Sequence, residues 1–327
     1  MTSSEHHDVV PFLDASSNLP LDAPFTAAVA QAQGVSRNEL TQLCQAGALR
    51  QPIRRVYVAA QIPDSILLRA QCMFLVMPDD CVIVDRHAGW LHGAEMVLAP
   101  NEHLTVMPLQ LFRPSDRGRL RNGLTLSGER NLLPEDITEI HGLPVTTSLR
   151  TTWDLGRVPS RQRSLAGMDQ MLRLGVFSVD EFLAGIERFR GQRWVINLRT
   201  LALLADGRAE SPGESAVRLG WIDAGLPAPQ PQLEVWENGV LIARVDVGNP
   251  ELGYIAEYDG VEWHTSSEQR QHDSERREAV SQLGFVVDAF EKHDVYGPRR
   301  NLEERLIIGA QRARDRLQRR SIIDLRR

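Results

Sequence analysis

Five residues in the last third of the chain have types and spacing that could do chemistry together: Glu214, Asp246, Glu257, Asp259 and His264. Asp246 lies near the end of the apolar run VLIARVDV, and Glu257 and Asp259 lie in the run YIAEYD. Alternate residues of a strand share a face. Leu241, Ala243, Val245 and Val247 are therefore expected on one face, with Ile242, Arg244 and Asp246 on the other. Ile255, Glu257 and Asp259 share a face of the next strand. If the two strands are hairpin neighbours, Asp246 and Glu257 meet at one edge of the sheet. Two carboxylates placed together repel unless a cation or a proton offsets them. Hard oxygen donors on adjacent strands suit Mg2+ or Mn2+. Such an ion polarises a phosphodiester oxygen and activates water. Glu214 could bind the ion directly or through water, and His264 could move a proton or contact the phosphate.

Each of these residues also has a plain structural reading. Glu214 stands three residues after Ser211 and fits a capping box. Asp246 can cap the turn that follows it, and Asp259-Gly260 is ordinary turn chemistry. Glu257 is harder to read that way, because a buried, unpaired glutamate costs several kcal/mol. Asp273 with Arg276 and Arg277 can be a solvated helix pair, and the tail ARDRLQRRSIIDLRR an exposed helix face.

The elements that would position the five can be read around them. Ser211 is a good N-cap and Pro212 suits the first helical position, so a helix is expected to about Ala224. LEVW, a tight turn at Glu237-Asn238-Gly239, VLIARVDV and YIAEYD follow as three strands. Nearer the N-terminus, Asp22–Ala32 reads as a helix. Ser36 with Glu39 opens a second helix, which Gly47 closes. LRQPIRRVYVAA is extended. Helix, turn, helix and β wing is the order of a winged helix-turn-helix. Arg37 and Asn38 would start its recognition helix, with Arg50, Arg54 and Arg55 on the wing near phosphates. Between these parts, Ser65–Val76 reads as a helix, HLTVMP as a strand and LFRPSDRGRLRNGLTLSG as turn-rich. LPVTTSLRTTWDLGR reads as strand, capped turn and helix. His87 and His92 stand five apart, which is not a ligand pair on one helix face, so structural roles are expected.

Two family resemblances follow from these motifs. VSRNELTQLCQAGALRQPIRRVYVA, DRHAGWLHG and GLPVTTSLRTTWDLGR, within residues 20–160, resemble the N-terminal part of AbiEi-type antitoxins and regulators. That resemblance implies a winged helix able to bind promoter DNA, and a toxin as partner whose identity the sequence does not give. SPGE, RVDV, AEYDG, His264, HDSERR and QLGFVVDAF, in that order over residues 208–315, resemble the very-short-patch-repair branch of restriction-endonuclease-like proteins. This second resemblance implies a Mg2+- or Mn2+-dependent DNA endonuclease. Asp246, Glu257 and Glu214 would be metal ligands, Asp259 and His264 catalytic, and Arg276 and Arg277 in contact with nucleic acid. The chain departs from the wider superfamily in lacking the usual lysine two residues after Glu257; Asp259 stands there, and the single lysine is Lys292.

The expected fold class is α/β (multi-domain α+β). The expected division is a lead over 1–20, a winged helix over 21–62, a middle α/β region over 63–207 and an endonuclease-like region with a central mixed sheet over 208–327. At 327 residues with 42% hydrophobic content, the chain can bury several cores. No apolar run reaches the roughly 18 residues of a membrane span. MTSSEHHDVVPFLDASSNLP lacks the pattern of a signal peptide, so a cytoplasmic protein is expected. Three cysteines without a C-x-x-C pair argue against a disulfide framework or zinc site. A net charge of −6 excludes a uniformly basic coat, and the basic stretches are local, at 50–55, 113–121 and 299–327. A homodimer is compatible with all of this. The alternative to an endonuclease is a DNA-binding regulator or antitoxin-like repressor whose C-terminal region no longer cuts.

Overall fold

The computed structural model describes residues 12–14, 16–94, 108–114, 125–126, 129–260 and 267–324. They form a mixed α/β structure of two compact units, 1–151 and 152–327. Among the described residues, no helix is long and apolar enough to cross a membrane.

In the first unit, strand β1 (Phe25–Thr26) runs into helix α1 (Ala27–Ala32). The helix expected from Asp22 starts later than its pattern suggests. Thr26 stays extended to cap α1, its Oγ1 accepting from the Val29 N–H, while Phe25 and Thr26 pair with a later strand. Helix α2 (Arg37–Gln45) has the expected capping box: Ser36 N–H donates to Glu39 Oε2 at 2.7 Å, and Glu39 N–H to Ser36 Oγ at 3.3 Å. Gly47, with φ +77°, turns the chain out of the helix, a conformation that costs glycine little. Strands β2 (Leu49–Ile53) and β3 (Val56–Ala59) form an antiparallel hairpin about Arg54-Arg55, and the sheet order is β1-β3-β2. Phe25, Ala30, Leu40 and Leu49 bury themselves beneath it.

The rest of this unit surrounds a six-stranded sheet. Its elements are α3 (Ile66–Phe74), β4 (Val82–Ile83), α4 (Asp85–Leu91), β5 (Leu109–Pro114), β6 (Thr125–Leu126), β7 (Glu129–Arg130), β8 (Ile137–Ile140) and β9 (Leu143–Thr146). The order is β6-β5-β4-β9-β8, with β7 also on β5. LFRP, expected in a turn, belongs to β5 because Phe112 and Leu111 pair with Val82 and Ile83. The strand expected at HLTVMP lies, but for Pro108, outside the described residues. His87 and His92 are structural, as their spacing suggested. His87 Nδ1 accepts from the Gln110 N–H, and burial lowers its pKa to about 4. His92 bridges the Thr146 carbonyl and Ser148 Oγ at 2.7 and 3.0 Å.

Helix α5 (Ser148–Gly156) crosses the junction between the units. The second unit continues with α6 (Arg161–Arg173), α7 (Val179–Ala184), α8 (Val195–Ala202) and α9 (Pro212–Asp223). Then come β10 (Gln230–Glu237), β11 (Val240–Asn249), β12 (Tyr254–Asp259), α10 (Ser267–Gln282), β13 (Val286–Glu291), α11 (Lys292–Val295) and α12 (Leu302–Asp324). The sheet order is β10-β11-β12-β13. The first three strands are antiparallel neighbours, and β13 lies parallel to β12 after the α10 crossover. Asn238 and Gly239, at φ +49° and +81°, make the tight turn read from the sequence. One core holds Val217 and Trp221 of α9, Tyr254 and Ala256 of β12, and Leu302 and Leu306 of α12. Another holds Leu233, Val245 and Ile255 with Val280 of α10.

A buried charge cluster ties α9 to α6. The Asp169 carboxylate accepts from Arg218 Nη2 at 2.7 Å, Ser215 Oγ at 2.7 Å and the Asp206 N–H at 2.8 Å. Asp169 is fully buried, and Arg218 is nearly so. Removing one partner strands the other charge in a poor solvent. Asp169→Ala is therefore expected to lower stability by about 3–5 kcal/mol, read as a fall in the urea midpoint with the slope unchanged. A loss below about 1 kcal/mol would show that the pair does not anchor α9.

Candidate active site

Glu214 sits in the first turn of α9, which Ser211 caps: its Oγ accepts from the Glu214 N–H at 3.1 Å. The Glu214 side chain does not close a capping box. Its Oε2 accepts from the Glu210 N–H and from Gln232 Nε2, both at 2.8 Å. Burial raises the pKa of the group, against the Glu210 N–H, the Ser211 hydroxyl and the Gln232 amide, which lower it.

Asp246 lies within β11, which continues to Asn249 rather than ending at Asp246. The expected alternation breaks here. Val245 packs in the core beneath α10, whereas Val247 packs with α9 and β12, so the two valines do not share a face. The strand rotates about Asp246, and Gln232, opposite it on β10, has a left-handed φ of +53°. Asp246 Oδ2 accepts from the Tyr258 N–H at 2.7 Å. Asp246 makes no ion pair among the described residues. Burial above all, then the charge of Glu214 and that of Glu257, raises its pKa to about 7, against the Tyr258 hydrogen bond and the more distant charge of Arg276.

Glu257 is buried within β12, and its charge is met by two guanidiniums from α10. Arg276 Nη2 lies 3.0 Å from Oε1, and Arg277 Nε donates to Oε2 at 2.9 Å. Asp259, exposed at the strand end, accepts from Arg277 Nη2 at 3.1 Å. Arg276 Nη1 also donates to the Arg244 carbonyl at 3.2 Å. His264 and the Asp273 side chain lie outside the described residues. In the first unit, Arg37 and Asn38 are exposed at the start of α2, and Arg50, Arg54 and Arg55 are exposed on the β2–β3 hairpin. Arg50 also donates to the Ile62 carbonyl.

The fold thus brings Glu214 and Glu257 each into electrostatic range of Asp246, and places Arg276 and Arg277 against Glu257. Among the described residues, no three His, Cys, Asp or Glu side chains are gathered tightly enough to enclose a metal ion. Asp246 and Glu214 nonetheless fit a hard divalent cation. Each has one oxygen tied by N–H donors, and among the described residues neither makes an ion pair with an arginine or lysine, as Glu257 does. Glu257 has both oxygens engaged by arginine. Gln232 was not singled out from the sequence; in LPAPQPQ nothing distinguishes it from Gln230.

The family model of the AbiEi antitoxin C-terminal domain matches residues 81–204. The match takes in two of the three AbiEi-like motifs read from the sequence, DRHAGWLHG and GLPVTTSLRTTWDLGR, and runs on past residue 160, but does not reach VSRNELTQLCQAGALRQPIRRVYVA. The chain is also similar to an uncharacterized protein of Mycobacterium tuberculosis strain CDC 1551 / Oshkosh, 29% identical over 280 residues, which are 86% of this chain and 99% of that protein. An uncharacterized protein of strain ATCC 25618 / H37Rv is similar to the same extent.

The raised pKa of Asp246 has a definite sign in stability. The folded chain holds this proton more tightly than the unfolded chain, so its contribution is complete below about pH 3.8. It is lost as pH rises to about 7. Asp246→Asn is expected to match wild type at pH 3.5 and to exceed it by up to about 4 kcal/mol at pH 8, at 1.36 kcal/mol per pKa unit. Denaturant unfolding across this pH range reads the gap; a gap that does not change with pH would contradict the raised pKa.

Proposed function

We propose that the second unit is a divalent-metal-dependent nuclease acting on DNA, and that the first unit brings it to its target. The observation that carries the reading is Asp246, a carboxylate without a cationic partner, held beside Glu214 and Glu257 on a helix–three strand–helix–strand frame. That frame follows the order of the restriction-endonuclease-like resemblance seen in the sequence. Asp246 and Glu214 would hold Mg2+ or Mn2+, with Glu257 in range once its arginines are drawn away. When bound, the metal supplies Lewis acidity toward a phosphate oxygen and a water of lowered pKa. Arg276 and Arg277 have the fork geometry that pairs with phosphate as readily as with carboxylate. They hold Glu257 and Asp259 until a polyanion offers better partners. Asp259, at the open end of β12, sets the position of Arg277. In the first unit, α1, α2 and the β2–β3 hairpin fit a winged helix, with Arg37 and Asn38 toward bases and Arg50, Arg54 and Arg55 toward phosphates.

A second reading rests on a different observation. The antitoxin-domain match over 81–204 favours a DNA-binding regulator paired with a toxin, the second unit then keeping its carboxylates locked by arginine.

Incubation of the full chain with supercoiled, linear and single-stranded DNA in Mg2+ or Mn2+ separates the two. Nicking by wild type, lost in Asp246→Ala and Glu257→Ala while both variants still unfold cooperatively, is expected for the nuclease. No cleavage of any form, together with a salt-dependent shift of a fragment carrying the protein's own promoter, would replace it with the regulator. In that case Arg54→Ala and Arg55→Ala should weaken the shift and flatten its salt slope by about one unit each.

A further inference from the structure

Gln232 occupies a conformation that its own side chain disfavours. Its φ is +53°, in the left-handed region where glycine sits comfortably and a long side chain does not. It lies directly across β10 and β11 from Asp246, since Pro231 pairs with Val247 and Leu233 with Val245. At this point β11 changes the face it presents, Val245 joining one core and Val247 the other. A glycine would make the same bend without strain. Non-glycine residues in such positions persist where the surrounding structure makes use of them, commonly at functional sites.

The use lies in the side chain. The half-buried Gln232 sends Nε2 to Glu214 Oε2 at 2.8 Å, where the Glu210 N–H also donates. Both donors meet the same oxygen. With the Ser211 hydroxyl also acting on the group, the carboxylate is fixed in orientation. The left-handed turn at residue 232 is what swings the amide out of the strand's ordinary alternation and toward α9. The strand partner of one proposed ligand thus orients the other.

We infer that Gln232 is a positioning residue for the acidic site, holding the Glu214 carboxylate in the orientation in which it and Asp246 can take one divalent cation. This rests on the metal-dependent reading above. It adds a residue outside the acidic series, acting only through Glu214. Partners that orient ligating carboxylates commonly alter metal affinity ten- to a hundredfold when removed.

The test is Mn2+ binding to the full-length protein by titration calorimetry, with four forms compared: wild type, Gln232→Gly, Glu214→Ala and the double variant. Glycine keeps the required φ, so cooperative unfolding should be retained. Gln232→Gly is expected to weaken Mn2+ binding at least about tenfold in the wild-type background and to change nothing further in the Glu214→Ala background. Mn2+ bound by Gln232→Gly as tightly as by wild type would overturn the inference while leaving the metal reading intact. So would an equal loss in both backgrounds, because the residue would then not act through Glu214. A wild-type protein that binds no Mn2+ overturns the metal reading itself, and the role of Gln232 with it.

Discussion

Helix α9 lies so close to the sheet of the second unit that residue 213 has room for no side chain. A Cβ on Gly213 would stand 2.1 Å from the Tyr258 ring, and one on Gly220 would stand 2.5 Å from Leu302. Trp221 stacks on Tyr254 from the same helix, and Tyr296 Oη donates to the Pro212 carbonyl. The Asp169–Arg218 pair fastens the opposite side of α9 to α6. A helix held this tightly delivers its first turn to one place. That place is beside β11, where Glu214 is near enough to be the largest charge effect on Asp246.

The charges around the sheet then sort into two kinds. Glu257 and Asp259 are satisfied by Arg276 and Arg277, an arrangement that neutralises a buried carboxylate with forked donors. Asp246 is given one backbone N–H and two negative neighbours instead. A chain selected only for stability would put an amide or an apolar residue at that position. Burial and the two like charges raise the Asp246 pKa, and perturbed carboxylates of this kind cluster at functional sites.

The first unit bears on function through its surface rather than through a charge cluster of this kind. Its buried ionic groups are paired: Asp85 with Arg130 at 2.6 Å and Asp136 with Arg150 at 2.5 Å. His87 and His92 are spent on backbone and hydroxyl partners. On its surface stand the exposed arginines of α2 and the β2–β3 hairpin, N-terminal in the chain to the segment that matches an antitoxin domain. Such a surface suits a polyanion and fits either proposed role.

Local signals carried far in this chain. Ser36 with Glu39, Ser211 with Pro212, and Asn238-Gly239 each name a backbone event that neighbouring atoms decide, and each formed where its residues stand. The order of strands around Asp246 and Glu257 was legible too, because apolar runs and turn residues mark it directly. The face assignment of Val245 and Val247 was not. Strict alternation assumes an even strand, and the rotation at Asp246 depends on Gln232 across the hairpin. Nor could the sequence show that Glu214 abandons its own helix cap for Glu210 and Gln232, or that two arginines some twenty residues on would close over Glu257. By itself the sequence determined which residues could do chemistry and on which kind of element each would sit, since those follow from side-chain type and local period. Tertiary structure alone decided which carboxylates are paired and which is left open. Pairing depends on distances between elements, and these are set by how closely α9 and α10 pack on the sheet.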